Sequence, residues 1–197
     1  MKFFIIALFT FNCFAAFLPS SFDAEFVDVR GKKEIPVNIK YKFPKQIYYE
    51  VKGDTPLLYV CNEKKTWKYS PPFIEGEKGA LAVVDSSQFC YSRIFDSLSQ
   101  GLIDNKLYKT KKSGNKAILN FTKKATDQLG LEKIEIVFGK KFESHTSMSE
   151  AKSLKLFLQN KAEPVLLKLV KIDINPKLGS DLFKFSAPEN TKTTQMK

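Results

Sequence analysis

Catalytic raw material is scarce in this sequence. Histidine occurs once, at His145, on the short polar alternation Glu143-Ser144-His145-Thr146. A Ser-His-Asp triad needs a nucleophile poised for the imidazole, and no G-x-S-x-G elbow is present. One histidine and three scattered cysteines are poor material for a zinc site, which needs several such ligands close together. No C-x-x-C serves disulfide exchange, and no G-x-G-x-x-G or G-x-x-x-x-G-K-(S/T) cradles phosphates. The paired carboxylates Glu75 and Glu77 sit in a glycine-rich loop, where solvent takes them. The expectation is a protein that is not an enzyme, with no catalytic residues, no metal and no cofactor.

Long apolar runs are also missing, except at the start. Met1-Lys2 precedes Phe3-Phe4-Ile5-Ile6-Ala7-Leu8-Phe9, and the apolar stretch continues after Thr10 to Phe17. That run falls short of the ~20 residues a membrane-spanning helix needs. A positive start, an apolar core and Cys13-Phe14-Ala15 before a cleavage point read as a secretory signal. The rival reading is an uncleaved membrane anchor. Phe11 and Asn12 before Cys13 do not make a lipobox, so Cys13 leaves with the signal. We therefore divide the chain into a signal peptide at 1–16, a single domain at 17–190 and a loose polar tail at 191–197. The expected compartment is the periplasm.

Acidic residues are outnumbered, 21 against 32 lysines and arginines, for a formal charge of +11. The lysines scatter along alternating patterns and turns. Such a face keeps a domain soluble, or meets anionic headgroups or an acidic partner. No nucleic-acid recognition motif accompanies the charge, and none is expected of an exported chain. After processing two cysteines remain, Cys61 and Cys90. The sequence leaves open whether they pair.

Period-two alternation is what the chain has in abundance. Ile35, Val37, Ile39, Tyr41 and Phe43 alternate with polar residues and Pro36, as a half-buried antiparallel strand requires. Similar patterns occur at Phe22/Ala24/Phe26, Ile47/Tyr49/Val51, Leu57/Tyr59/Cys61 and Trp67/Tyr69. They return at Ala117/Leu119/Phe121, Ile134/Ile136/Phe138, Leu154/Leu156/Leu158 and Val165–Ile174, separated by turn residues such as Arg30-Gly31-Lys32. One segment changes period. From the Asp85-Ser86-Ser87 cap cluster to Gly101, apolar Phe89, Cys90, Ile94, Phe95 and Leu98 form one helical stripe. The expectation is mainly β with a small helical part: about ten strands in a curled antiparallel sheet, with one helical insertion. One helix is too small to cover such a sheet, so the sheet closes into a barrel or stays open around an apolar hollow.

Three blocks resemble LolA, the family of periplasmic outer-membrane lipoprotein carriers. They are Ser21-Phe22-Asp23-Ala24-Glu25-Phe26, then Phe43-Pro44-Lys45-Gln46-Ile47-Tyr48-Tyr49-Glu50 with Thr66-Trp67-Lys68-Tyr69-Ser70-Pro71, and last Asn175-Pro176 with Leu182-Phe183-Lys184-Phe185 and Pro188. The likeness spans 21–190. It implies an incomplete β-barrel with a helical lid over an apolar cavity for the acyl chains of mature lipoproteins. The implied partners are acylated lipoproteins, a LolCDE-type ABC transporter of the inner membrane and an outer-membrane receptor of LolB type, met by a monomer. The runner-up is a lipid- or glycolipid-binding or sensor module of the same fold with another ligand.

Alternation then nominates acyl-chain contacts. On the sheet these are Ile39, Tyr41, Phe43, Tyr49, Tyr59, Trp67 and Tyr69; on the helix they are Phe89, Ile94, Phe95 and Leu98. The same stripes also suit an ordinary core. Two departures from the family stand out. Phe43 replaces the arginine that in the family reaches the lid, and no helix precedes the first strand. Phe43 is expected to point inward, with the lid formed mainly by 85–100 over a cavity more open than in relatives.

Overall fold

The computed structural model describes residues 17–85, 90–141 and 146–196. The expected signal peptide, Phe89, His145 and the Ser86-Ser87 caps lie outside those residues.

The first half is a meander of antiparallel strands: β1 (Ser21–Arg30), β2 (Lys33–Lys42), β3 (Gln46–Val51), β4 (Leu57–Cys61), β5 (Thr66–Ser70) and β6 (Gly79–Val84). A second meander follows, with β7 (Tyr108–Ser113), β8 (Lys116–Phe121), β9 (Leu131–Phe138), β10 (Ala151–Leu158) and β11 (Val165–Ile174). Antiparallel pairing of β1 with β11 joins the two into one sheet. The last strand, β12 (Thr191–Met196), pairs parallel to β6. The single sheet therefore has twelve strands in the order β12-β6-β5-β4-β3-β2-β1-β11-β10-β9-β8-β7, and it does not close. The expected class holds, with more strands than the alternation announced. The tail expected to be loose is mostly β12.

This order dictates where the helix goes. After β6 the chain must travel to β7 at the opposite edge, and α1 (Ser92–Leu98) lies on that crossing, against the inner face. It is shorter than the 85–100 stripe suggested. Gly101, at φ +81°, ends its last turn by donating its N–H to the Leu98 carbonyl at 3.0 Å. A second short helix, α2 (Lys123–Leu129), joins β8 to β9, capped by Thr122 at its start and by left-handed Gly130 at its end.

The return from β11 to β12 crosses the other face. There the aromatic ring of Phe183 is buried, its carbonyl accepts from Asn62 Nδ2 at 3.0 Å, and Phe185 packs on Tyr69 with ring centroids 5.2 Å apart. The inner face thus carries one crossing and the outer face the other.

Within the sheet, β11 shows how the inner face stays apolar. Glu25 pairs with Lys171 but Phe26 with Leu169, so Val170 is the extra residue of a bulge. Without it, strict alternation from Leu167 and Leu169 would turn Lys171 and Asp173 inward. With it, Ile172 lies opposite buried Ala24 and Ile174 opposite buried Phe22, while Val170 stands in solvent.

Candidate functional site

The inner face holds an apolar hollow of about 200 Å³. Its floor is β1 to β4, its far wall is β10 and β11, and its roof is α1. Ile39, Ile47 and Tyr49 line the floor, Leu154, Leu156 and Leu167 the wall, and Tyr91, Ile94 and Phe95 the roof. These positions share one face because the register stacks Ile39 on Tyr49 and Tyr49 on Tyr59 across three strands. A larger hollow of about 520 Å³ opens where β9 turns toward β10, but Lys140, Lys141, Lys152 and Glu150 line it. That lining suits no acyl chain.

The roof is tied to the sheet in several ways. Cys61 at the end of β4 is disulfide-bonded to Cys90 just before α1, with Cα atoms 5.9 Å apart. Tyr91 stacks on Tyr59 at 4.4 Å and meets Tyr49 edge-on at 6.1 Å. Phe95 packs on Phe22 and Tyr41. The Tyr41 hydroxyl donates to Asp96 Oδ1 at 2.8 Å, and the Lys45 N–H donates to the same oxygen at 3.3 Å. Past the helix, the Tyr108 hydroxyl of β7 donates to the Ser97 and Gly101 carbonyls.

Burial dominates the electrostatics of this layer. It raises the Asp96 carboxyl above its ordinary range, against the opposing pull of the hydrogen bonds from Tyr41, Lys45 and Ser92. Burial likewise raises the Tyr41 and Tyr59 hydroxyls. Tyr49 is pushed up to about 12 by burial first, then by the neighbouring Asp28 and Tyr91. All three phenols stay neutral at physiological pH, as an apolar compartment requires.

Of the residues nominated from alternation, Ile39, Tyr49, Ile94 and Phe95 border the hollow. Tyr41 and Tyr59 do not line it but are buried and hold the roof, and Leu98 is buried on α1. Three nominations need correction. Phe43 is 49% exposed and does not line the hollow: its N–H reaches the Ser20 carbonyl one pair beyond the Ser21–Lys42 end of the β1–β2 register, past the last residue of β2. Trp67 and Tyr69 belong to the outer face: Trp67 lies opposite Val60 and Val83, whereas inward Tyr59 lies opposite Lys68. The Tyr69 ring is held between Phe185 and Gly79, where a β-carbon would come within 2.7 Å of the Tyr69 hydroxyl oxygen.

Alternation also passed over useful positions. Leu154, Leu156 and Leu167 line the hollow, and so do Asp28 and Arg30. The signal for the last two was present, since the inward parity of Phe22, Ala24 and Phe26 continues to 28 and 30.

No family model matches this sequence, and no curated protein matches it. Among solved structures, the chain is similar to an uncharacterized conserved protein from Thermus thermophilus, with a TM-score of 0.49 and 13% identity over 90% of this chain and 91% of that one.

Proposed function

We propose that the protein is a periplasmic carrier that binds the acyl chains of mature lipoproteins and shuttles them toward the outer membrane, as LolA-type carriers do. The observation that carries this reading is the apolar hollow under α1, walled by β10 and β11. An enclosed surface of leucine, isoleucine and aromatic side chains gains from taking an alkyl chain out of water, at roughly 25 cal/mol per Å² buried. The sequence likeness over 21–190 supports the lipoprotein cargo, a LolCDE-type transporter as donor and a LolB-type receptor as acceptor. The apolar leading segment supports export. Hand-over makes and breaks no bond, so the carrier needs no catalytic group.

Two observations favour a second reading, a lipid- or glycolipid-binding or sensor module with another ligand. The hollow is smaller than the roughly 300–1,000 Å³ of drug-sized pockets, which suits one chain better than three. The Cys61–Cys90 bond also ties down one end of the roof that a bulky cargo must lift. Mass spectrometry of material co-purifying with the periplasmic protein decides between the two. Triacylated lipoprotein supports the carrier, a free single-chain lipid or glycolipid supports the module, and absence of any acyl compound contradicts both.

A further inference from the structure

Inward positions along β1 change character at one end. Phe22, Ala24 and Phe26 are apolar and buried, and then Asp28 and Arg30 follow on the same face. Asp28 is only 1% exposed, although its partners across the strands are Ile35 and Leu167. Both side chains line the hollow under α1.

The pairing of Asp28 is lopsided. Arg30 Nε donates to Asp28 Oδ2 at 2.8 Å, and Arg30 Nη2 reaches the same oxygen at 2.7 Å. Oδ1 is buried and has no hydrogen-bond partner among the described residues. A carboxylate normally accepts on both oxygens, and a buried acceptor left without a donor is costly to fold. Arg30 already balances the charge, and its side chain is 62% exposed, so the guanidinium faces solvent at the rim. What is missing at Oδ1 is therefore a neutral donor and not a second cation. The net charge of +11 argues in the same direction against a cationic ligand.

From this geometry we infer that Asp28 Oδ1 is a specificity group of the cavity, and that the preferred ligand is an acyl amphiphile carrying a neutral N–H or O–H donor at the polar end of its chain. The inference rests on the reading of the hollow as an acyl-chain site and adds what the head of that chain must offer. A plain ester places only acceptors beside Oδ1 and leaves it unpaired. An N-acyl amide or a 2-hydroxyacyl group satisfies it while the alkyl tail fills the space between Ile39, Leu156 and Ile94.

Three twelve-carbon probes test this on the full mature protein: methyl dodecanoate, N-methyldodecanamide and methyl 2-hydroxydodecanoate, each competing with an apolar fluorescent dye. At least one donor-bearing probe should bind about tenfold more tightly than the plain ester, the usual effect of a hydrogen bond to a charged acceptor. Which of the two does so separates an amide-headed from a hydroxyl-headed ligand. In Asp28→Leu the three probes should bind alike. If the wild type binds all three equally, Asp28 does not select and the inference falls, while the acyl-chain site stands. If none binds, the acyl-chain reading falls and this inference with it. A persistent donor preference in a folded Asp28→Leu protein would also overturn the assignment. Should that variant not fold, the wild-type comparison still decides.

Discussion

The Tyr41 hydroxyl on β2 donates to Asp96 Oδ1 on α1 at 2.8 Å, and so joins the sheet to its roof at the end of the hollow opposite Asp28. Phe43, two residues further on, is exposed. Tyr41→Phe should cost about 1 kcal/mol in denaturant unfolding, because Asp96 Oδ1 keeps the Lys45 N–H. Phe43→Ala should cost far less than that. A larger effect at Phe43 would mean that Phe43, and not Tyr41, fastens the roof.

Acid should act on the same contact. A carboxyl raised in the folded state contributes stability that is fully present below its unfolded value, 3.8, and is lost as pH rises through the folded value. Asp96 therefore weakens the roof at neutral pH and strengthens it on mild acidification. Asp96→Asn keeps an acceptor for Tyr41 without the buried charge. Its melting temperature should equal or exceed that of the wild type at pH 7, and the gap should shrink as the pH approaches 4. A gap that widens on acidification would contradict the assignment.

Reducing the Cys61–Cys90 bond should cost about 3–4 kcal/mol, the loop entropy expected for cysteines 29 residues apart. The Cys61→Ala/Cys90→Ala variant should also admit an apolar dye faster, since one end of α1 is released. Two titratable thiols in the denatured, unreduced protein would show that no bridge forms.

The sheet was more legible than the site. Strict alternation from Ile35 to Tyr41 placed β2, because one face is buried and the other solvated. Parity failed at β5, where Thr66 lies opposite Cys61 and so turns inward, leaving Trp67 and Tyr69 on the outside. A five-residue strand with large aromatics on one face reads as inward-facing when a second covering layer is not foreseen. Here that layer is the Phe183–Phe185 crossing, which only the order of the sheet reveals. β12 was missed for a related reason, since Thr191–Met196 has almost no apolar burial of its own and is held by pairing with β6. α2 carried legible caps in Thr122 and Gly130, but it is too short for periodicity to show.

That placement of Trp67 has a spectroscopic consequence. It is the only tryptophan, and it lies on the face away from the hollow. Filling the hollow with an acyl ligand should leave its emission maximum nearly unchanged. Leu156→Trp places an indole at the hollow itself. That variant should lose ligand binding at a stability cost of about 1–3 kcal/mol for overpacking. A large shift of Trp67 emission on ligand binding in the wild type would put the ligand on the outer face.

Photo-crosslinking tests the central claim most directly. A fatty-acyl probe with a diazirine midway along its chain is bound to the protein, irradiated and mapped by peptide mass spectrometry. The account predicts adducts on peptides containing Ile39 to Tyr49, Tyr91 to Phe95 and Leu154 to Leu158, all suppressed by Leu156→Trp. Adducts concentrated on Trp67, Tyr69 or Phe185, or none above the level of a denatured control, would contradict it.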